Sequence, residues 1–435
     1  MQPDFVPPLT RTSWPALSAS VVTVGILFAG VAAFANAPGQ EAKLSWQSSG
    51  IGNLVANYVP QRAILNSAKP AALKKAPSDI ASPVYSEVKV GPRESQSARI
   101  VLLDEAPDKP PRLFVDSNGN GDLTDDPPIT WTERQVAAGG SPAVIRMGEA
   151  LIKIPFGRDV VEGKLVFYRF NKNDPMRAAV ADSVFYYRDF GLKGQLKLAG
   201  KSYTALLVDE LSAGDFRGQD NPQFPGVRLL IDVNGDGRLD ERREAYNTKQ
   251  PFNIGGTTWE LAGMTADGKF SVVKSSRTVE EIKPLPNLAP GAKALSFTTK
   301  TTAGKTVKFP SDYKGKVVLV DFWATWCGPC LAELPNVLSN YSKYRSKGFD
   351  ILGVSLDQDP NGLGNFTKEK GMPWPQICDG KVWQGELVQL YGVEGIPFML
   401  IVDGNTGEIL AGAEARGEAL APAIERALAR KKGLN

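Results

Sequence analysis

The sequence predicts an α/β domain with a mixed sheet and flanking helices, preceded by a mainly β region. Residues 81–280 contain short alternating or β-branched runs separated by Gly, Asn, Asp and Pro, which is typical of strands joined by turns. Residues 280–295 are rich in proline, as expected of a joint between two domains. From Val317 onward the pattern changes to strand, helix and strand, the order that builds α/β domains.

Residues 38–80, which precede the β region, are predicted to be a linker rather than a folded domain. Residues 38–80 are rich in Ala, Pro, Ser and Lys and have no sustained period, so we interpret them as a linker with one short helix around Gly52 to Leu65. Within residues 81–280, the runs that predict strands are Arg99–Leu103, Leu113–Val115, Leu151–Ile154, Lys164–Phe170, Tyr203–Val208 and Val227–Ile231.

The C-terminal domain, residues 288–435, is predicted from longer patterns. A continuous apolar run at Val317–Phe322 indicates a buried strand, and Pro329–Lys347 has the period of a helix. The other predicted elements are a strand at Asp350–Ser355, helices around Asn361–Gly371 and Val382–Leu390, strands at Phe398–Val402 and Ile409–Ala413, and a helix at Gly417–Lys431.

Composition excludes several classes of function. The chain of 435 residues has no histidine, which excludes Ser-His-Asp and Cys-His catalysis and histidine-ligated zinc, copper or haem. A net charge of +3 over this length gives no electrostatic attraction for nucleic acid, so nucleic acid is not an expected partner. Three cysteines are too few for a disulfide-stapled scaffold.

The N-terminus predicts export. No charged residue lies between Arg11 and Glu41, and Ala33-Phe34-Ala35 fits the small-residue pattern of a signal-peptidase site. We therefore interpret residues 1–37 as a signal peptide; the alternative is an uncleaved anchor, with residues 16–37 tethering the protein to a membrane. Both interpretations place the rest of the chain outside the cytoplasm, in the periplasm or cell envelope, where disulfides can form.

Cys327-Gly328-Pro329-Cys330 carries the chemistry. It lies where the strand ending at Phe322 passes into the next helix, so unsatisfied N–H groups of the helix N-terminus can stabilise a thiolate. The alternative, half of a zinc site, is disfavoured because there is no histidine and only one further cysteine, Cys378. Cys378 itself is interpreted as a buried small apolar residue rather than a third redox centre.

The segment Val318–Cys330, Val-Leu-Val-Asp-Phe-Trp-Ala-Thr-Trp-Cys-Gly-Pro-Cys, resembles the active-site segment of thioredoxin. With Leu331-Ala-Glu-Leu-Pro335 it resembles the exported, TlpA-like thiol-disulfide oxidoreductases. The resemblance covers residues 288–435 and implies a thioredoxin-like fold there. It implies nothing about residues 38–280.

The resemblance also implies roles for individual residues. Cys327 matches the attacking thiol and Cys330 the resolving thiol. Asp321 matches the buried aspartate of thioredoxin, and Glu333 the active-site glutamate of the exported family, so either acid is a candidate for proton transfer with the dithiol. The alternatives are an exposed Glu333 without a role and a purely structural Asp321.

Substrate binding is implied for a loop and a neighbouring ring. Ile396-Pro397 matches the cis-proline loop of the fold, whose backbone can pair with an extended substrate segment. Trp326 flanks the dithiol and is a second candidate for substrate contact, whereas Trp323 is interpreted as packing.

Two loops in the β region resemble the first half of an EF-hand calcium loop, with oxygen-bearing side chains at alternate positions before a glycine. Position 12, where a bidentate Glu is expected, holds Pro127 in one loop and Arg243 in the other, so the alternative is a pair of solvated turns. The candidate calcium ligands are Asp116, Asn118, Asn120, Asp122, Asp232, Asn234, Asp236 and Asp240.

The expected protein is therefore an exported thiol-disulfide oxidoreductase that reduces protein disulfides through its dithiol. The redox chemistry needs no cofactor, and calcium is expected only in the β region. The expected partners are disulfide-containing exported proteins and an unidentified membrane electron donor. Two alternatives are an extracytoplasmic binding protein with an accessory redox domain and a peroxiredoxin-like peroxidase; the latter is disfavoured because Thr325 stands two residues before Cys327 rather than three.

Overall fold

The computed structural model describes residues 40–55, 58–106, 109–138, 141–221 and 223–432. The predicted signal peptide or anchor, residues 1–37, lies outside the described residues. The described residues form two compact units. The chain passes from the first to the second after Ile282, and Asn234–Asp236 also belong to the second unit. Among the helices described, none has the length and apolar character needed to cross a bilayer.

The first unit is built from antiparallel strands. Its strands are β1 (Gln40–Glu41), β2 (Lys43–Gln47), β3 (Gln61–Ile64), β4 (Pro83–Val90), β5 (Ser97–Asp104), β6 (Arg112–Val115), β7 (Thr132–Ala138), β8 (Ser141–Phe156), β9 (Asp159–Phe170), β10 (Ser183–Arg188), β11 (Gly191–Leu198), β12 (Lys201–Asp209), β13 (Val227–Ile231), β14 (Ala245–Asn247), β15 (Phe252–Ile254), β16 (Thr257–Ala262) and β17 (Ser271–Lys274). Short 3-10 turns lie at Ile51–Asn53 and Pro175–Val180.

The strands of the first unit are arranged in four sheets. Their orders are β4-β5-β6, β3-β10-β9-β8-β7, β14-β13-β12-β11-β2 and β1-β17-β16-β15. Each run that predicted a strand lies within an observed strand, from β5 for Arg99–Leu103 to β13 for Val227–Ile231. The prediction of a mainly β region is therefore confirmed.

The predicted linker and helix are wrong for residues 40–65. The described residues of this segment form β1, β2, the 3-10 turn Ile51–Asn53 and β3, which takes up Gln61–Ile64 of the predicted helix. Trp46 of β2 stacks on Phe190 with ring centroids 5.0 Å apart, and its indole N–H donates to the carbonyl of Glu162 at 2.7 Å. These partners lie more than a hundred residues away along the chain, so local periodicity carries no sign of them.

The second unit contains helices and strands in alternation. Its elements are strands β18 (Phe297–Lys300), β19 (Thr306–Phe309), β20 (Val317–Trp323), β21 (Phe349–Ser355), β22 (Gln376–Ile377), β23 (Phe398–Asp403) and β24 (Ile409–Ala411), and helices α1 (Gly328–Tyr344), α2 (Pro360–Glu369), α3 (Glu386–Leu390) and α4 (Leu420–Lys432). Short 3-10 turns lie at Ser311–Tyr313, Arg345–Lys347, Val382–Gln384 and Gly417–Ala419.

The main sheet of this unit has the order β22-β21-β20-β23-β24. β20 pairs in parallel with β21 and antiparallel with β23, so the sheet is mixed, as predicted. Every residue of β20 is buried, which agrees with a sequence that is apolar apart from Asp321. α1 packs on β21, and α4 packs on β20 and β23.

The predicted helix Val382–Leu390 is wrong in its first half. Val382 has a positive φ of 53°, and Gly385 is extended, so the chain makes a 3-10 turn before α3 begins at Glu386. A β-branched residue in the left-handed region cannot continue an α-helix.

Gly404 of the second unit lies so close to the backbone of Tyr313 that we expect no larger residue to fit there. A Cβ at Gly404 would lie 2.0 Å from the carbonyl oxygen of Tyr313, and the neighbouring backbone cannot rotate away as a side chain can. We expect Gly404→Ala to lower the free energy of unfolding by roughly 1–3 kcal/mol, measured by urea denaturation.

Gly364 provides the matched control because it lies within α2 with open space where a Cβ would be. Gly364→Ala should raise stability by up to about 1 kcal/mol, since alanine is the better helix former. Equal stability of Gly404→Ala and the wild type would contradict the close approach.

Candidate functional site

The two cysteines of the Cys-Gly-Pro-Cys motif form a disulfide at the start of α1. Cys327 is the N-cap residue, and its sulfur accepts a hydrogen bond from the backbone N–H of Cys330 at 3.2 Å. Pro329 occupies the first helical turn, where a missing N–H costs nothing. After reduction, this N–H and the helix N-terminus would stabilise negative charge on the sulfur of Cys327.

The predicted substrate loop lies against the same sulfur. The Ile396–Pro397 peptide bond is cis, and the carbonyl oxygen of Ile396 lies 3.7 Å from Sγ of Cys327. Both loop residues are partly exposed. The structure thus brings together Cys327, Cys330, Ile396 and Pro397, as the sequence predicts.

Asp321 is buried in the middle of the sheet. It lies on β20, only 5% exposed, and its Oδ1 has no hydrogen-bond partner. Burial, with a smaller contribution from the charge of Glu333, raises the pKa of Asp321 to about 7. A carboxyl group in this environment can take up or release a proton near neutral pH, which suits proton transfer.

Glu333 lies on α1 and is held in place. Its Oε1 accepts hydrogen bonds from the backbone N–H of Gly417 at 2.8 Å and from Nδ2 of Asn336 at 2.7 Å. The Glu333 carboxylate is therefore a fixed, partly buried charge, close enough to Asp321 to raise its pKa. The alternative of a freely exposed helix carboxylate does not fit these contacts.

Asp357 was missed by the sequence analysis. It is buried just after β21, and its carboxylate accepts hydrogen bonds from the backbone N–H and hydroxyl of Thr325 and from the hydroxyl of Ser355. Asp357 thereby fixes the turn that leads into Cys327. The available signal was an acidic residue at the carboxyl end of a buried strand next to β20, where sites of α/β proteins collect.

Two further residues near the site have structural roles. Trp323 is buried and donates from its indole N–H to Oε1 of Gln376 at 3.1 Å, as expected of a packing residue. Cys378 is a free, partly buried cysteine whose thiol donates to the carbonyl of Asp357 at 3.1 Å, and burial raises the pKa of this thiol. A poorly ionised thiol is a weak nucleophile, which fits the predicted absence of a third redox centre.

The calcium prediction is not supported at the first Asp/Asn loop. The carboxylate of Asp116 is buried and accepts backbone hydrogen bonds from Gly119 at 2.7 Å and Gly121 at 3.0 Å. Asp122 accepts from the hydroxyl and backbone N–H of Thr124 and pairs with Lys75, and these contacts lower its pKa to about 2. Asn118 and Asn120 both donate to Asp125 from their amide nitrogens.

The second loop uses its oxygens in the same way. Asp232 accepts from the backbone N–H of Gly237, Asn234 from that of Asp236, and Asp240 from that of Arg242. In the described part of the chain, no group of three or more His, Cys, Asp or Glu side chains could hold a metal ion. The loop oxygens satisfy the backbone N–H groups of tight turns, which is the alternative that the sequence left open.

The first unit contains a cleft of about 1370 Å³ that the sequence analysis did not predict. Tyr58 and Tyr187 stack at its wall with ring centroids 3.7 Å apart, and Lys164 pairs there with Glu149 and Asp189. None of the residues predicted for the redox chemistry lines it. A binding function of the β region, the alternative named above, would depend on a feature of this kind.

The family and the relatives found by comparison with known proteins match about a third of the chain. The Redoxin family matches residues 289–414. The thiol-disulfide oxidoreductase ResA of Bacillus thuringiensis subsp. konkukian is 32% identical over 138 residues, which is 32% of this chain and 76% of that protein. ResA of Bacillus subtilis is 30% identical over 128 residues, or 29% of this chain and 69% of that protein.

Two solved structures are also similar to part of this chain. The thioredoxin domain of a thiol-disulfide oxidoreductase from Bacteroides vulgatus is 34% identical, with a TM-score of 0.30, over 32% of this chain and 99% of that one. A thiol-disulfide oxidoreductase from Bacteroides fragilis is 26% identical, with a TM-score of 0.29, over 31% of this chain and 99% of that one.

The mixed sheet, the Cys327–Cys330 disulfide at a helix N-terminus and the opposing cis-proline loop define a thioredoxin-like thiol-disulfide oxidoreductase. With 32% identity over three quarters of a relative's length, the chain belongs to the family of the thiol-disulfide oxidoreductases ResA. The resemblance found in the sequence is thereby confirmed, and these relatives favour this activity over the peroxidase alternative.

The titration of Asp321 predicts a pH-dependent difference in stability. Its pKa is about 7 in the folded protein and about 4 in the unfolded chain, so the unfolded chain releases the proton first as pH rises. Between about pH 4 and pH 7, the wild type should therefore lose stability relative to Asp321→Asn, with a constant difference above this range. Urea denaturation of both proteins across this range measures the effect.

Glu333→Gln tests how much the charge of Glu333 contributes to the raised pKa of Asp321. Removing the negative charge near Asp321 should lower the pKa of Asp321, so the upper end of the pH window should move to lower pH. Parallel stability curves of the wild type and Asp321→Asn at every pH would show that Asp321 does not titrate in this range.

Proposed function

We propose that this protein is exported and reduces disulfides of other exported proteins. The observation that carries the proposal is the position of Cys327, whose sulfur lies 3.2 Å from the backbone nitrogen of Cys330 and 3.7 Å from the carbonyl oxygen of Ile396. This arrangement stabilises an attacking thiolate and offers a backbone acceptor to an extended substrate chain beside it.

The proposed reaction proceeds in two exchanges. In the reduced protein, the thiolate of Cys327 attacks one sulfur of a substrate disulfide, forming a mixed disulfide and releasing the other substrate sulfur as a thiolate. The thiol of Cys330 then loses its proton and attacks Sγ of Cys327. This second step releases the first substrate sulfur as a thiolate and leaves the Cys327–Cys330 disulfide. The substrate gains two electrons and the dithiol loses them.

The two acids are assigned to the proton that Cys330 must lose. Asp321 has a pKa of about 7 and an unpartnered oxygen, so it can accept a proton at neutral pH. Glu333 is held by Gly417 and Asn336 and keeps a negative charge near Asp321, which favours the protonated form of that acid. We assign Asp321 as the proton acceptor and Glu333 as the group that tunes it.

The direction of electron flow is proposed from the residues between the cysteines. The Gly-Pro pair is that of thioredoxin, whose potential is about −270 mV, low enough to reduce exposed or strained disulfides. A reductant in an oxidising compartment must be reduced again after each cycle, which is why an electron donor in the membrane is part of the proposal. Export is supported by the pattern of residues 1–37 and by the resemblance to exported relatives.

The reduction potential tests the direction. Redox equilibrium of the full chain with glutathione or dithiothreitol, followed by alkylation of free thiols, should give a potential near the thioredoxin value of about −270 mV. A value near that of a strong oxidant such as DsbA, about −120 mV, would reverse the proposed direction and make the protein a disulfide donor.

The roles of the two cysteines predict different trapping behaviour. Cys330→Ser should accumulate mixed disulfides with substrate proteins through Cys327, because nothing resolves the first intermediate. Cys327→Ser should trap at least about tenfold less, since Cys330 lies inside the first turn of α1, whereas Cys327 is the N-cap residue that receives the N–H hydrogen bond. Non-reducing gels of the purified variants mixed with an oxidised protein substrate measure both, and equal trapping would overturn the assignment.

A further inference from the structure

Two exposed tryptophans form an apolar surface in the second unit. The side chains of Trp326 and Trp383 are 52% and 37% exposed, which is unusual for a residue type that normally buries most of its surface. Their ring centroids are 6.4 Å apart and the rings are inclined by 61°, so the two exposed rings meet edge to face.

The aromatic corner, formed by Trp326 and Trp383, is joined to the reacting Cys327 through the backbone of Trp326. Trp326 directly precedes Cys327 in a tight turn in which the N–H of Cys327 donates to the carbonyl of Ala324 at 3.2 Å. The preceding residue, Thr325, is held by the carboxylate of Asp357. The ring of Trp326 is thus presented from a fixed turn and does not depend on a flexible loop.

Trp383 is presented with similar rigidity from a different part of the chain. The carboxylate of Asp379 accepts backbone hydrogen bonds from Lys381 at 3.0 Å and Glu386 at 2.9 Å, closing the turn on both sides of the ring. The carbonyl of Trp383 accepts from Nε2 of Gln389 at 2.7 Å. Ordering a ring in advance lowers the entropy cost of binding, which is typical of anchor residues at interfaces.

The backbone of Val382, the residue before Trp383, is strained. Val382 has a φ of 53°, a conformation that costs a β-branched residue energy and persists only where the surrounding structure enforces it. Such strain is concentrated at functional sites. Here it turns the chain so that the following ring is exposed beside Trp326.

We propose that Trp326 and Trp383 together bind a large apolar side chain that neighbours a half-cystine in a protein substrate. The inference rests on the proposed function, because a substrate sulfur must reach Cys327. A side chain one or two residues from that sulfur lies within about 4–7 Å of it along an extended chain, which brings it over the aromatic corner. Half-cystines in proteins are usually buried among apolar residues, so a polypeptide with an exposed disulfide offers such neighbours.

The substrate class that follows is a non-native or partly unfolded polypeptide, rather than a small polar disulfide. Such a chain has apolar residues exposed beside its disulfides and can lie extended along the backbone of Ile396 while a side chain enters the aromatic corner. Trp383 then acts as a specificity-determining residue for the reaction at Cys327.

The test uses the reduced full-length protein and two short disulfide-containing peptides that differ only in the residue after one half-cystine, Phe or Ser. We expect the wild type to reduce the Phe peptide with a kcat/KM about tenfold higher than that for the Ser peptide. In Trp383→Ala the ratio should fall to about one or two, and in Trp383→Phe most of the preference should remain because an aromatic ring is retained.

Leu390→Ala is the matched control, since Leu390 is 40% exposed in the neighbouring α3 and has no part in the aromatic corner. This variant should keep the tenfold ratio. A ratio unchanged in Trp383→Ala, or lost equally in Leu390→Ala, would overturn the inference. A wild type that reduces both peptides at equal rates would overturn the inference alone, whereas no exchange with either peptide would overturn the proposed function as well.

Discussion

Burial of β20 at the centre of a mixed sheet is the constraint on which the redox site depends. The strand pairs with β21 on one side and β23 on the other, with Trp323 opposite Ser355 and Phe322 opposite Phe398. Three segments therefore meet at one edge of the sheet: the turn into Cys327, the turn holding Asp357, and the loop ending in Pro397. The local sequence of each segment does not explain why the three segments are close together. Their proximity follows from the register of the three strands.

The same buried strand carries Asp321, the residue proposed above as the proton acceptor. Asp321 has no partner for Oδ1 in an apolar layer, an arrangement that costs stability whenever the group is ionised. The fold tolerates this cost because the surrounding core of the second unit is extensive. The fixed carboxylate of Glu333 strengthens the preference of Asp321 for its protonated form. The proposed function of Asp321 and the stability of the fold would thus oppose each other at this position.

In the β-rich unit, two loops have the Asp and Asn spacing of a calcium site but use these side chains differently. Its Asp/Asn loops have the spacing of calcium ligands, yet their oxygens accept hydrogen bonds from the backbone of the same loops. A carboxylate that satisfies several N–H groups of a tight turn stabilises that turn without an ion. The Redoxin family match covers residues 289–414 of the other unit, whereas the β-rich unit has a cleft with paired tyrosines and a Lys164-centred ion cluster.

Local sequence by itself determined the elements whose pattern is contained within a few residues. The apolar run of β20, the helical period of α1 and the Cys-Gly-Pro-Cys motif between them predicted a strand, a helix and a dithiol, because burial, periodicity and thiolate stabilisation all act over short distances along the chain. The strands β2 and β3, whose partners are more than a hundred residues away, were beyond such reasoning.

The tertiary structure decided which distant residues complete the site. Asp357 and Trp383 have no distinctive local pattern, and they become part of the site only because strand pairing and a strained turn bring them to Thr325 and Trp326. The choice between calcium ligands and turn-forming side chains was likewise made by geometry, since one spacing of Asp and Asn serves both. Spacing along a chain specifies which groups can meet, whereas packing specifies which of them do.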